Sequence, residues 1–319
     1  MSTEQHWAEV PERGRTSGFK IMYATYATLG RWAFALLLYP VAAYFYLTAR
    51  RARRASQNYL ARVRQHMLEL GDPPPTIRGT FGHFLDFGHC IIDKGVTWAG
   101  RLPPSSIEID NPSLFGGLRE SRQGALFIGS HLGNLEVLRA YAQVDRHISI
   151  SALASTRNSP KLNNLILSIN PSAFERLIEI DTLGPESIMR LQDKIHAGEH
   201  IAVAADRVSA RHRERSMHAP FLGVPAPFPE GPFILASLLA CPVYLVFALR
   251  IDGRYRIYVE PFADPLVLPR RTRRQALELA IARYAQRLEA HCLLAPTQWF
   301  NFFDFWGQAD STEQRTKTR

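Results

Sequence analysis

Residues 125–136, ALFIGSHLGNLE, run from a short apolar segment through a turn with two glycines into a helical pattern. An apolar run of this length that ends in a glycine-containing turn is typical of a buried strand. Similar runs occur at 148–154 (ISISALA), 201–206 (IAVAAD) and 243–250 (VYLVFALR). Because helical segments separate these runs, the sequence predicts an α/β domain with a central, largely parallel or mixed sheet flanked by helices.

The helical segments and one hairpin complete this prediction. Helical patterns cover residues 55–70, 81–98, 134–144, 160–169, 185–197, 230–240 and 271–294. The segment 255–262 alternates apolar and polar residues and follows Asp252-Gly253, a pair that favours a tight turn. We therefore expect 255–262 to form a hairpin with 243–250.

The N-terminal region carries an uncharged apolar segment, WAFALLLYPVAAYFYLT at 32–48. Its length is short for a bilayer span, which usually needs about 20 residues, and Pro40 would kink it. A membrane span, an interfacial or re-entrant helix and a buried core helix all remain open. Four arginines follow at positions 50, 51, 53 and 54, and for a spanning helix they place the later residues in the cytoplasm.

This pattern divides the chain into three parts. We expect residues 1–54 to form a membrane-associated segment, 55–306 the α/β domain, and 307–319 a polar tail. The formal net charge of +9 implies attraction to polyanions, such as nucleic acid or an anionic membrane. We favour the membrane and expect no nucleic-acid partner, because no nucleic-acid-binding signature accompanies the arginines.

The cysteines and histidines do not have the spacing of a metal site. The three cysteines, at positions 90, 241 and 292, are odd in number and lie far apart, which indicates reduced core residues. Four histidines, at positions 196, 200, 212 and 218, lack a zinc-ligand spacing and are expected at the solvated surface. We expect no metal ligands and no bound cofactor.

His131 and Glu136 are the candidate catalytic residues. His131 follows the strand at 125–129, and the carboxyl ends of parallel strands are where α/β sheets bind ligands. A carboxylate that holds the ring in one tautomer leaves the other nitrogen free to accept a proton from a hydroxyl. The alternative is a structural turn with Glu136 on an exposed helix face. Ser130 lacks the G-x-S-x-G context of a hydrolase nucleophile.

Two further polar pairs follow other strands. Arg157 and Asn158 come after 148–154. Asp206 ends the run at 201–206, and Arg207 follows it. Because parallel strands present these ends on one side, all four residues can converge on His131. An arginine there can bind a phosphate or stabilise negative charge. The alternative for each pair is a contact that supports a loop.

Five segments together resemble the lysophospholipid acyltransferase superfamily, and within it the bacterial lipid A biosynthesis (lauroyl and myristoyl) acyltransferases. They are SHLGNLE (130–136), STRNSP (155–160), AADR (204–207), APFLGVPAPFPEGPFILA (219–236) and PTQWFNFFDFW (296–306). The opening HWAEVPERG (6–14) is similar to relatives encoded beside aryl polyene synthesis genes. Asp304 departs from the closing motif of the lipid A enzymes, which commonly carries basic residues.

The resemblance implies an acyltransferase at the cytoplasmic face of the inner membrane. Its donor would be an acyl carrier protein or acyl-CoA thioester, and its acceptor a hydroxyl of a glycolipid or another lipid. It implies His131 as general base, Glu136 as its partner, and a substrate-binding set of Asn134, Arg157, Asn158, Asp206 and Arg207. The rival functions are a basic, non-catalytic membrane-peripheral or nucleic-acid-binding protein, and a lipid esterase with water as acceptor.

Overall fold

The computed structural model describes residues 16–71, 79–144, 148–154, 176–180, 184–208 and 214–307. Its helices are α1 (Thr16–Thr48), α2 (Arg50–Glu69), α3 (Gly79–Trp98), α4 (Pro112–Ser121), α5 (Glu136–Val144), α6 (Pro185–His196), α7 (Gly231–Leu239) and α8 (Arg273–Leu294). Its strands are β1 (Ile107–Ile109), β2 (Leu126–Gly129), β3 (Ile150–Ala154), β4 (Leu177–Glu179), β5 (His200–Ala204), β6 (Ser216–Phe221), β7 (Val224–Pro229), β8 (Val243–Ile251) and β9 (Arg254–Ala263). The predicted helix at 160–169 lies outside the described residues.

A seven-stranded mixed sheet forms the centre of the domain, in the order β1-β9-β8-β2-β5-β3-β4. Neighbouring strands are parallel except β8 and β9, which form the expected antiparallel hairpin across Asp252-Gly253. The predicted α/β class is confirmed. The strand β2 pairs with β8 on one side and β5 on the other. Its carboxyl end therefore lies between the ends of two neighbouring strands.

Alternate side chains of β2 pack into two separate cores. Leu126 and Ile128 belong to the core on the face that α7 and α8 cover. Phe127 belongs to the core on the opposite face, which α4 and α5 cover. All three side chains are almost completely buried. Because both faces of the sheet are covered, the central strands are continuously apolar, as a mainly parallel sheet requires.

The N-terminal helix α1 packs along α3 and has a second apolar face that points outward. Phe34 and Leu38 are buried against α3, whereas Trp32 and Leu36 are 69% and 65% exposed. Gly30 breaks the helix with a φ of 83°. Residues Lys20–Thr48 are long and apolar enough to cross a membrane, which suggests membrane anchoring.

The proline-rich stretch before α7 forms a hairpin that the sequence did not predict. Among the described residues, strands β6 and β7 pair with each other alone, from Ser216 opposite Pro229 to Phe221 opposite Val224. A two-stranded ribbon has two free edges, so prolines without an N–H donor are tolerated in it. The inward residues of β6, such as Phe221, still reach the core.

Candidate active site

The register between β2 and β5 places His131 beside Asp206. Gly129 at the end of β2 lies opposite Ala204 at the end of β5, and each candidate residue follows two positions later. The Asp206 carboxylate accepts hydrogen bonds from the His131 backbone N–H at 2.9 Å and from the ring Nδ1–H at 2.8 Å. The predicted convergence of these two strand ends is therefore found in the structure.

Asp206 is completely buried and accepts four hydrogen bonds. Besides the two from His131, Trp299 Nε1 donates at 2.9 Å and Asn301 Nδ2 at 3.0 Å. Burial alone would raise the pKa of Asp206, but His131 and Arg207 lower it to about 2. The carboxylate is consequently ionised and fixed in position near neutral pH.

The environment of His131 suits a proton acceptor. Because the Nδ1–H donates to Asp206, the neutral ring carries its free lone pair on Nε2. The side chain is 36% exposed, so the ring remains accessible. Burial and the charge of Arg207 lower the pKa of His131 below its usual 6.5, despite the opposing effect of Asp206. The imidazole is therefore neutral at physiological pH.

Glu136 does not make the hydrogen bond to His131 that the sequence suggested. It begins α5, and its Oε2 accepts from Trp98 Nε1 at 2.9 Å and from Arg139 Nη1 at 3.0 Å. The turn between β2 and α5 directs this carboxylate towards the end of α3, where Trp98 lies. The hydrogen bond expected from Glu136 is made by Asp206.

Arg207 and Asn134 serve partly as supports of the site. Arg207 Nε donates to Asn301 Oδ1 at 2.8 Å, and Nη2 donates to the Phe300 carbonyl at 3.0 Å. Burial lowers the pKa of Arg207 to about 10, which leaves it protonated. Asn134 Oδ1 accepts from the Glu136 N–H and caps α5. Arg157 and Asn158 lie outside the described residues.

The closing aromatic segment contributes residues that the sequence reasoning did not place in the site. The Phe300 N–H donates to the His131 carbonyl, and the Gly133 N–H donates to the Gln298 carbonyl, both within 3.0 Å. Trp299 packs against Tyr59 and Phe305 with no exposed surface. The signal was present in PTQWFNFFDFW, where polar donors alternate with core aromatics, but their targets depend on the tertiary path.

The other nucleophile and ligand candidates have structural roles. Ser130 is buried, and its Oγ accepts from the Leu132 N–H at 3.3 Å. His200 is also buried, which corrects its predicted surface position. Its Nδ1 accepts from the Ala125 N–H, and its ring stacks on Phe127. The three cysteines are free and buried as predicted. Within the described ranges, no three His, Cys, Asp or Glu residues are placed to hold a metal ion.

Comparison with known proteins gives this geometry a chemical meaning. Residues 99–307 match the family model of bacterial lipid A biosynthesis acyltransferases, a range that includes His131, Asp206 and the closing segment. No curated protein matches the chain. The family transfers acyl groups to lipid acceptors. The chain therefore belongs to the bacterial lipid A biosynthesis acyltransferase family and is an acyltransferase.

Proposed function

We propose that His131 is the general base for acyl transfer from a thioester to a lipid hydroxyl. Nε2 removes the hydroxyl proton, and the oxygen attacks the thioester carbonyl carbon. The tetrahedral intermediate then collapses with cleavage of the C–S bond, and the imidazolium returns its proton to the leaving sulfur. The products are an ester and a free thiol.

The observation that carries this proposal is the hydrogen bond between His131 Nδ1 and the buried Asp206 carboxylate. This bond selects the tautomer in which Nε2 accepts a proton, and the negative charge stabilises the imidazolium formed during the reaction. We assign Asp206 the positioning role first expected of Glu136. Glu136 then acts indirectly, by joining the start of α5 to Trp98 and Arg139.

Arg207 is the proposed source of positive charge for the oxyanion. The four backbone N–H groups of the catalytic turn, residues 131–134, already donate to Asp206, Ser130 Oγ, the Gln298 carbonyl and the Ala248 carbonyl. The guanidinium is close enough to lower the pKa of His131. The same positive field stabilises negative charge that develops on a nearby carbonyl oxygen.

The donor is proposed to be an acyl carrier protein or acyl-CoA thioester, and the acceptor a glycolipid or other hydroxyl lipid. The reaction needs no cofactor beyond this co-substrate. The net charge of +9 would attract both an acidic carrier protein and an anionic membrane. We place the enzyme at the cytoplasmic face of the inner membrane, with residues 1–54 as its membrane-associated part. Arg157 and Asn158 remain proposed substrate contacts.

The packing of α1 favours an interfacial helix over an independent span. Its buried face contacts α3 from Met22 to Ala42, so lipid would reach only the outward face. That face carries Trp32, Leu36 and Tyr39, all more than half exposed. Trp and Tyr are enriched at the membrane–water interface, where amphipathic helices lie.

A His131→Asn variant tests the proposal most sharply. The asparagine amide can still donate to Asp206 in place of Nδ1–H, but the group corresponding to Nε2 is lost. The assay uses labelled acyl carrier protein or acyl-CoA as donor and lipid extracted from a deletion strain as acceptor. We expect the rate of acyl transfer to fall by about 10²-fold or more. His218→Asn changes an exposed histidine and should retain the wild-type rate.

Retention of near-wild-type transfer by His131→Asn would refute the general-base role. Release of free fatty acid at the same rate with and without lipid acceptor would instead favour the esterase alternative. Mass spectrometry of lipids from the deletion strain and its parent identifies the acceptor, because one acyl group should be missing.

A further inference from the structure

A cavity of about 550 Å³ opens beside the catalytic turn, and His131 is not among the residues that line it. Its walls come from α3, from Gly133 and Asn134, from the β8–β9 hairpin and from residues 294–298. Polar side chains make up much of this wall, which suits a polar group better than an acyl chain. The lining therefore suits a ligand group different from the fatty tail.

Asn134 places an unused donor on this wall. The residue is 1% exposed, and its Oδ1 is committed as acceptor for the Glu136 N–H. This contact assigns the amide orientation, since the N–H needs an acceptor. The buried Nδ2 lies near the Tyr255 hydroxyl but has no partner that meets hydrogen-bond distance and angle among the described residues. Native proteins seldom leave a buried amide donor unpaired, so this donor is available to a bound acceptor group.

Arg250 adds a positive charge whose Nε is likewise unpaired. This Nε is buried without a hydrogen-bond partner in the described ranges, and no ion pair found there includes Arg250. Its backbone is fixed, because the Gln298 side chain donates to the Arg250 carbonyl at 2.7 Å and accepts from its N–H at 2.9 Å. Arg250 lines the cavity, and no carboxylate of the described residues forms an ion pair with its guanidinium.

Three other polar groups of the cavity, those of Asp86, Thr297 and Tyr255, are already engaged. Asp86 accepts the Thr297 hydroxyl, and the Tyr255 hydroxyl donates to Asp93 Oδ2 at 2.6 Å. Asp252 is exposed on the hairpin turn. Arg250 and Asn134 thus offer a ligand a guanidinium and an amide donor, a combination that matches the oxygens of a phosphate ester.

We propose that this cavity binds a phosphate ester carried by one of the two substrates, with Arg250 and Asn134 as its ligands. The inference rests on the proposed acyl transfer, because Asn134 belongs to the same turn as His131. A phosphate held there would orient its substrate relative to Nε2. The phosphate belongs either to the phosphopantetheine arm of the donor or to the headgroup of the acceptor.

Calorimetric binding to the full-length protein distinguishes these two sources. The donor arm compares 4′-phosphopantetheine with pantetheine, and the acceptor arm compares glucosamine 1-phosphate with glucosamine. We expect the phosphorylated probe of one arm to bind at least about tenfold more tightly than its counterpart, because charge-assisted hydrogen bonds are formed. The arm that shows the preference identifies the source.

Arg250→Gln should abolish this preference without unfolding the protein, since the Gln298 contacts use only the backbone of residue 250. Arg254→Gln removes an equal charge from the exposed side of the same hairpin and should keep it. Asn134→Asp retains the cap acceptor but replaces the donor, and should also abolish it. Absence of a preference in both arms, or an equal loss in Arg254→Gln, would overturn the inference.

These titrations and the acyl-transfer assay together separate this inference from the proposed catalytic role. His131→Asn should lose transfer and keep the phosphate preference. Loss of the preference in Arg250→Gln together with unchanged transfer in His131→Asn would refute only the general-base proposal. No preference together with inactive His131→Asn would refute only the phosphate site.

Discussion

At the scale of single residues, the identity of the partner of His131 is the first point to test. Asp206 raises the pKa of His131 through its negative charge and its hydrogen bond. Asp206→Asn removes that charge and keeps the size of the side chain. We therefore expect the rate to fall by about 10²-fold or more and the acid limb of the pH–rate profile to move to lower pH. Steady-state kinetics between pH 4.5 and 8 measure both effects.

Glu136→Gln provides the matched comparison, because it is also a carboxylate-to-amide change near the catalytic turn. Glu136 is not among the main causes of the lowered pKa of His131, and it contacts Trp98 and Arg139 instead. Its acid limb should coincide with that of the wild type, below pH 6.5. If Glu136→Gln shifted the limb and Asp206→Asn did not, Glu136 would be the orienting carboxylate.

His200 makes the stability of the protein depend on pH. Burial lowers its pKa from 6.5 to about 4, so the unfolded chain takes up a proton first as the pH falls. The stabilisation is complete above pH 6.5 and decreases as the pH approaches 4. His200→Asn retains an acceptor for the Ala125 N–H but cannot titrate. Between pH 6.5 and 4, the unfolding free energy of the wild type should fall by up to about 1.4 kcal/mol per pH unit more than that of His200→Asn.

Chemical denaturation at several pH values measures this slope. His83, also buried and with a pKa lowered to about 4, remains in the variant and should keep part of the dependence. An identical slope in wild type and His200→Asn would show that His200 is protonated equally in both states.

At the scale of elements, the closing segment determines how rigidly Asp206 is held. Trp299→Phe removes the Nε1 donor to Asp206 and preserves most of the aromatic packing. We expect about a tenfold lower kcat with little change in KM, because one of four hydrogen bonds to the carboxylate is lost. Trp306→Phe is the control, since the Trp306 Nε1 has no partner among the described residues.

Comparable losses in the two tryptophan variants would mean that packing, rather than the hydrogen bond, accounts for the effect. Thermal unfolding of both variants shows whether they are equally stable. The pH optimum of purified Trp299→Phe should equal that of the wild type at pH values where Asp206 is ionised.

Gly133 joins the catalytic turn to β8 and tolerates no side chain. Its φ is +71°, and a Cβ there would lie 2.0 Å from the Ala248 carbonyl oxygen. Gly100 has a similar φ of +65° but open space around the position of a Cβ. Gly133→Ala should therefore destabilise the protein by about 2 kcal/mol or more beyond Gly100→Ala, measured by chemical denaturation. Equal losses would show that the turn relaxes freely.

The sequence was sufficient for the central strands of the sheet and for the β8–β9 hairpin, but not for the edge strands β1 and β4 or for the hydrogen bonds of the candidate site. The apolar runs predicted β2, β3, β5 and β8, and the parallel pairing implied that Asp206 could approach His131. The choice between Glu136 and Asp206 was not accessible, because it depends on the exact register of β2 with β5 and on the direction of the turn. The roles of Trp299 and Asn301 depend likewise on where the C-terminal segment returns to the sheet.

At the scale of the whole molecule, α1 connects the catalytic domain to its proposed membrane surface. Its inward face is secured against α3, while Arg50 and Arg51 follow at the end of the helix with exposed side chains. Apolar contact and attraction to anionic headgroups would thus come from adjoining parts of the N-terminal region. Such a placement would bring a lipid acceptor to the domain without requiring it to leave the bilayer interface.

The double variant Trp32→Ser and Leu36→Ser tests this placement, because both side chains point outward and neither supports the α1–α3 core. Removal of two large apolar groups should weaken binding to vesicles of anionic phospholipid by about 10²-fold, measured by sedimentation. Met189→Ser and Leu279→Ser change equally exposed residues on α6 and α8, at 64% and 67% exposure, and should bind like the wild type. If both double variants bound equally, the attachment would not depend on the outward face of α1. High salt screens charge interactions but not apolar contact. If high salt also weakens vesicle binding of the wild type, the part of the binding that does not depend on the outward face of α1 comes from the arginines.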